Sequence, residues 1–261
     1  MAAARDRGLA GLARSAISAA AGEYVRLYHR HDLAIDAPAP AEPCLIVGNH
    51  GFGGIFDLNV LAMLRALDEL GQARRTTFLV HDIAWTLGVG PLLERLGCAR
   101  GSEESVVEAF GAARHVAVFP GGDVEAMKPV GERDRIKLDG RDGFARMAIE
   151  HDVPIIPVVT AGAGESLLVL SDGRRLARRL DLPRRLRLET LPTTISVPWG
   201  LNVGMVGLLP YVPLPTKLTT AVLPPMRARE DEEASAYAAR VGAAMQDRLD
   251  ELTLGRRPVL G

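Results

Sequence analysis

Short apolar runs alternate with stretches of helical period along most of the chain. "CLIVG" at 44–48 has no polar alternation and reads as a buried strand. Leu58, Leu61, Leu64 and Leu67 recur on one stripe and predict a helix over 57–70. "TTFLV" (76–80) predicts a strand and "SEESVVEAFGAAR" (102–114) a helix with Ser102 as its N-cap. Ser105 stands where a capping box needs Glu or Gln. "HVAVF" (115–119) reads as a strand, 141–150 as a helix and "PIIPVVT" (154–160) as a further strand. The N-terminal stretch through residue 35 is Ala-rich and helical in pattern, and "IDAPAPAEP" (35–43) is a Pro-rich extended connector. At the other end, 230–252 predicts a helix whose acidic start suits the helix dipole. Strand–helix alternation of this kind predicts an α/β domain, a largely parallel sheet flanked by helices with an N-terminal helix in front.

That architecture makes a prediction about place. Ligands of open parallel sheets bind beyond the carboxyl ends of the strands. The unusual segments here all follow strands: "NHGFGG" after 44–48, "HD" after 76–80, "PGGDVEAMKP" after 115–119 and "AGAGES" after 154–160. If the strands are parallel, the four meet at one edge.

Composition narrows the field. The 261 residues are 48% hydrophobic with a net charge of −1, which argues against a nucleic-acid binder acting through basicity. Cys44 and Cys98 have neither a CxxC spacing nor a histidine at metal-ligand spacing, so no metal site is expected. No apolar run reaches the length of about eighteen residues that a spanning helix needs. A cleaved signal peptide is disfavoured, and the expectation is a cytoplasmic chain. Two segments point toward lipid. "RRLARRLDLPRRLR" (174–187) sets seven Arg against one Asp with Leu interleaved, a pattern suited to an anionic lipid surface. "VPWGLNVGMVGLLPYVPLP" (197–215) is apolar but broken by four prolines, so it suits an acyl groove, a dip into one leaflet or ordinary core.

His50 and Asp57 are the sharpest candidate chemistry. A neutral imidazole can take a proton from an alcohol, and a carboxylate on its other nitrogen fixes the tautomer. The glycines between them permit a tight return and free backbone N–H groups for an oxyanion. The same spacing also fits Asp57 as a helix N-cap with His50 as a turn residue. "AVFPGGDVEAMKP" (117–129) is a rigid loop offering Asp123, Glu125 and Lys128, or a plain turn with solvated charges. Arg100, between Gly97 and Gly101, could hold an anionic head group near a helix start or be an ordinary surface arginine.

Taken in order, His50–Asp57, Gly97–Arg100, "FPGG" at 119–122 and "VPIIPV" at 153–158 resemble the four blocks of the glycerolipid acyltransferase family. More narrowly, they resemble its monoacylglycerol/diacylglycerol acyltransferase-like branch. The first block of the wider family is His-x4-Asp, whereas this branch tolerates the His-x6-Asp found here. The resemblance covers roughly 40–225 and implies a glycerol-phosphate-acyltransferase-like fold with 40–261 as one acyltransferase domain; the residues of 1–35 read as a helical segment, either packed on that domain or lying on a membrane surface.

The resemblance implies acyl transfer from acyl-CoA or acyl carrier protein, as co-substrate rather than cofactor, to a lipid hydroxyl. His50 would be the base and Asp57 its partner. Asn49, Gly53, Gly54, Arg100, Phe119, Pro120, Gly121, Gly122, Glu125 and Lys128 would form the substrate-binding set. Phosphate-recognising members carry Phe-Pro-Glu-Gly-Thr-Arg; this chain has Gly121 at the Glu position and Val124 at the Arg position. Loss of that guanidinium favours a neutral acceptor, with Glu125 replacing the missing Glu and Arg100 or Lys128 left to meet any phosphate. The implied setting is peripheral to a membrane, through 174–187 and 197–215. The rival readings are a lysophosphatidate acyltransferase, a thioesterase or lipid hydrolase, and a non-catalytic lipid binder. Against the hydrolase, "GAGES" lacks the order of a nucleophile elbow.

Overall fold

A strand with no polar alternation needs cover on both faces. The computed structural model describes residues 19–38, 40–51, 57–81, 85, 88–186, 188–204 and 211–261. Its first elements are helix α1 (19–28), strand β1 (Asp32–Ile35), β2 (Leu45–Gly48), α2 (Leu58–Glu69) and β3 (Thr76–Val80). Next come α3 (Gly90–Arg95), β4 (Cys98–Arg100), α4 (Glu103–Gly111), β5 (His115–Val118), α5 (Gly122–Ala126), α6 (Gly143–Glu150) and β6 (Ile155–Ala161). The rest are β7 (Leu168–Ser171), α7 (Arg174–Arg179), α8 (Leu182–Leu186), β8 (Thr193–Ser196), β9 (Gly200–Val203), β10 (Thr219–Val222) and α9 (Ala234–Thr253).

The main sheet has seven strands in the order β1-β10-β6-β2-β5-β3-β4. The five from β6 to β4 run parallel, as the alternation predicts. Strand β2 sits in the middle, and its side chains divide by parity. Leu45 and Val47 join Phe144 and Ala148 of α6 and Tyr237, Val241 and Met245 of α9 on one face. Ile46 joins Met63, Ala66 and Leu67 of α2 on the other. Burying a side chain of this size contributes about 1.5–3 kcal/mol, so the central strand, buried on both faces, delivers its C-terminal end to a fixed place.

Other expectations need correction. Strand β1 lies inside the segment read as a separate N-terminal helix (1–35), yet it pairs with β10 and belongs to the main sheet. Strand β10 is antiparallel to β6. Arg100 ends strand β4, a strand the sequence did not predict, and stands just ahead of α4, which Ser102 caps by accepting from the Ser105 amide. The acidic residues 230–233 precede α9, and Glu232 pairs with Arg240 at 2.6 Å instead of serving the first turn. The region after β6 builds a second, three-stranded antiparallel sheet, β7-β8-β9, absent from the sequence reading. The Arg-rich stretch forms α7 and α8 beside it.

Candidate active site

The chain leaves β2 at Gly48, where a side chain would run into Phe119 and Met63 at 2.5 and 2.6 Å. Asn49 is buried and pinned to β6: its amide accepts from Thr160 N–H at 2.8 Å and donates to Thr160 C=O at 3.1 Å. His50 follows with both ends of its geometry fixed. Its backbone N–H donates to Glu125 Oε2 at 2.9 Å, and its ring Nδ1 meets Asp57 Oδ2 at 2.5 Å. The ring also lies 5.0 Å, centroid to centroid, from Phe119.

Asp57 serves both roles that its spacing allowed. Oδ2 takes the imidazole, while Oδ1 accepts the Asn59 N–H at 2.7 Å and caps α2. An Nδ1–H donated to the carboxylate leaves the lone pair on Nε2, which is the nitrogen a base needs. Burial works against the charged imidazolium, but the Asp57 carboxylate outweighs it by charge and hydrogen bond, and Glu125 adds to the effect. The His50 pKa is therefore raised above its ordinary value.

Behind the histidine stands a buried ion pair. Glu125 is fully buried in α5, and its Oε1 accepts from the Lys137 N–H at 3.2 Å. The Lys128 ammonium lies 3.8 Å from Oε1 and donates to the Arg135 carbonyl at 2.8 Å. Burial pushes the Lys128 pKa down while Glu125 pulls it back. Only 4% of Lys128 is exposed, and its ammonium is turned into the protein, away from any phosphate at the surface. Gly121 makes this return possible, since a Cβ there would overlap the Glu125 carboxylate. Gly122 has φ +54°, and a Cβ would meet the Arg141 guanidinium.

Arg100 is exposed on edge strand β4, stacked over Trp85 at 5.1 Å. Three strand spacings separate β4 from β2, about 14 Å at the usual interval. The structure does not bring Arg100 to His50. Phe119 and Pro120 follow β5, and the Phe119 ring packs against that of His50. Gly53 and Gly54, the expected oxyanion donors, lie outside the described residues, as does Asp82.

Asn59 and Arg141 shape the site without a sequence signal, and Asp123 finds partners that the sequence did not indicate. Asn59 Oδ1 accepts the Gly51 N–H at 2.8 Å and fixes the turn just past His50. Arg141 donates to the Pro120 carbonyl at 3.0 Å and lies 3.7 Å from Asp123 Oδ1. The other oxygen of Asp123 accepts from Glu189 N–H at 2.6 Å and Thr190 N–H at 3.0 Å, tying the start of α5 to the segment before β8. A remote contact of that kind leaves no local pattern. Cys44 is buried against His115 at 3.2 Å, and burial, with Glu42 adding, lifts its thiol to about 12. Among the described residues no cluster of His, Cys, Asp or Glu suits a metal.

A histidine held by a carboxylate at the carboxyl edge of a parallel sheet is an arrangement able to move a proton. The family model described as Acyltransferase matches residues 30–161, and the chain belongs to that family. A relative from Gallus gallus, the "DGAT1/2-independent enzyme synthesizing storage lipids", is 31% identical over 190 residues, covering 72% of this chain and 54% of the relative. An uncharacterized Mycobacterium tuberculosis protein is 29% identical over 175 residues, 66% of this chain and 45% of its own length. The chain thus spans about half the length of these curated relatives. The crystal structure of the 1-acyl-sn-glycerophosphate (LPA) acyltransferase PlsC from Thermotoga maritima shares the fold, with TM-score 0.52 and 16% identity over 93% of this chain and 82% of that one.

Proposed function

We propose that the chain transfers a fatty acyl group from an acyl thioester, acyl-CoA in the first instance, to the hydroxyl of a neutral glycerolipid. The observation that carries this reading is the 2.5 Å contact between His50 and Asp57 at the carboxyl edge of the sheet. In the proposed step His50 Nε2 takes the proton of the acceptor hydroxyl as its oxygen bonds to the thioester carbonyl carbon. Collapse of the tetrahedral adduct breaks the C–S bond, and the imidazolium returns its proton to the departing thiolate. Asp57 holds the tautomer and offsets the transient charge. The reaction draws on the thioester as co-substrate and on no cofactor.

The neutral acceptor is supported by the fate of the cations near the loop. Val124, at the position of the phosphate-binding guanidinium, is buried. Arg141 is occupied by the Pro120 carbonyl and Asp123, and Lys128 by Glu125 and Arg135. The storage-lipid wording in the Gallus gallus relative's name points the same way. Residues 40–261 are read as the catalytic unit, completed by β1. Its proposed setting is a membrane surface; no described helix is long and apolar enough to cross one.

The test is an acceptor panel of lysophosphatidate, monoacylglycerol, diacylglycerol and a long-chain alcohol, assayed with labelled acyl-CoA. Ester should form on the neutral glycerolipids, and His50→Ala should lower turnover by at least about a hundredfold with the fold intact. Preference for lysophosphatidate would overturn the acceptor assignment. Labelled free acid released equally with and without acceptor would replace transferase by hydrolase.

A further inference from the structure

The three-stranded sheet is built inside out. In β8 the hydroxyl side chains of Thr194 and Ser196 point inward and are buried, while Ile195 points to solvent. Ile195 is paired across the sheet with Leu168 of β7 and Leu201 of β9. Leu170, Val197 and Val203 extend this outer surface, and the six side chains are between about a third and two-thirds exposed. A half-buried antiparallel sheet ordinarily shows its polar side to water. A contiguous apolar surface of this kind marks an interaction site.

The charge beside it identifies the partner. Two residues separate the end of β7 from the start of helix α7, and α7 and α8 carry six arginines. Arg174 and Arg185 pair with Asp139 and Asp181, but Arg175, Arg178, Arg179 and Arg184 have no ion pair among the described residues. Leu176, Leu180 and Leu186, interleaved with them, are 40–50% exposed. Arg174, Arg175 and Arg178 line a pocket with Ser171, Asp172 and Gly173, three guanidiniums against one carboxylate. Apolar side chains next to unpaired guanidiniums match acyl chains beneath anionic head groups. A protein partner matched to the apolar strands alone would leave the arginines without counter-charge.

The inner side of this sheet leads to the site. Val169 packs with Leu167, Met127 and Tyr211. Met127 immediately follows α5, which carries Glu125 to the His50 backbone. We infer that the outer face of β7-β8-β9, flanked by the arginines of α7 and α8, is the surface on which the protein docks to an anionic bilayer. Docking there sets the leaflet one packing layer from the catalytic edge, where a lipid acceptor has only to leave the membrane on the loop side. The inference deepens the lipid-acyltransferase reading and rests on it for its purpose, although the binding itself requires no catalysis.

Sedimentation of the full chain with vesicles tests it, using phosphatidylcholine alone and an equal mixture with phosphatidylglycerol. The mixed vesicles should bind the protein more tightly than phosphatidylcholine. Ile195→Thr/Leu201→Thr/Val203→Thr keeps strand propensity at exposed positions and should weaken binding to the mixed vesicles at least about tenfold. Arg175→Gln/Arg178→Gln/Arg179→Gln/Arg184→Gln should weaken it by a similar factor, and only on the mixed vesicles. Turnover of a water-soluble short-chain acceptor should be unchanged in both variants. Equal binding by wild type and both variants would overturn the inference. So would a wild-type dimer that the apolar variant dissociates, because the face would then join two copies. Vesicle binding as expected without transfer to any acceptor would leave the docking surface standing and remove the acyltransferase reading instead.

Discussion

Replacing Asp57 by Asn separates the two duties of one side chain. An asparagine can still cap α2, because its Oδ1 can accept the Asn59 N–H that Asp57 Oδ1 now takes at 2.7 Å. With that oxygen committed, the amide NH2 faces His50 Nδ1 where a carboxylate stood. A donor there requires Nδ1 to accept, so the ring proton moves to Nε2 and the lone pair needed for base catalysis is lost. The carboxylate that stabilises the imidazolium is lost as well. A comparable change in a His–carboxylate system costs about 10⁴-fold in turnover, equivalent to about 5.5 kcal/mol of transition-state stabilisation. Stability should change by no more than about 1 kcal/mol, since the cap survives.

The pH profile gives a second readout for the same variant. Because the His50 pKa is raised, wild-type kcat/KM should fall on the acid side below a value higher than the ordinary ~6.5. In Asp57→Asn the opposing effect of burial remains without the carboxylate, so this limb should move to lower pH. Linkage gives a sign for stability too. A folded pKa above the unfolded one stabilises the native state fully below about 6.5, and that contribution disappears as pH rises through the folded value. The assay is acyl transfer from labelled acyl-CoA in mixed micelles, with urea denaturation run alongside at each pH. An Asp57→Asn enzyme within a few-fold of wild type, with its acid limb unmoved, would refute the assignment of His50 as base.

Two further variants probe the support behind the base. Glu125→Gln removes the charge facing Lys128, whose ammonium is buried, and should destabilise the fold by about 3–5 kcal/mol. Adding Lys128→Met should restore much of that in chemical denaturation; no recovery would mean that the pair is not coupled. Gly121→Ala drives a methyl into the Glu125 carboxylate and should cost about 1–3 kcal/mol with a parallel loss of turnover. Gly131→Ala meets open space and serves as the control; equal effects of the two would contradict the crowding at Gly121.

The legible part of the fold was its repetitive part. Strands β2, β3, β5 and β6 are apolar runs between helices of clear period, and their parallel pairing brings the segments after them to one edge. The strands that escaped notice are brief or half-polar. Asp32–Ile35 has two exposed ends, Cys98–Arg100 is three residues long, and Thr219–Val222 has only four residues in which to alternate. The small sheet was hidden because β8 inverts the usual placement of polar and apolar side chains. Within the site, the spacing of His50 and Asp57 admitted a cap or a contact with the ring, and the carboxylate's two oxygens make both. Glu125 and Lys128 read as charged residues on a loop. Their burial depends on Lys137 and Arg135, which come back over them from farther along the chain, and no local pattern encodes that return. The contact from Asp123 to Thr190 spans 67 positions, well outside any periodic window.

Asp57 also joins two events that are usually separable in an enzyme. The first turn of α2 and the orientation of His50 depend on the same carboxylate. Thermal fraying of that turn would therefore release the imidazole while the rest of the helix, anchored by Met63 and Leu67, stayed packed. On slow warming, turnover should decline before ellipticity does, and the amide proton of Asn59 should exchange with solvent in step with the lost activity. Helix α2 is in this sense a thermometer wired to His50, and on the proposed mechanism stiffening its first turn is a route to a more heat-tolerant catalyst.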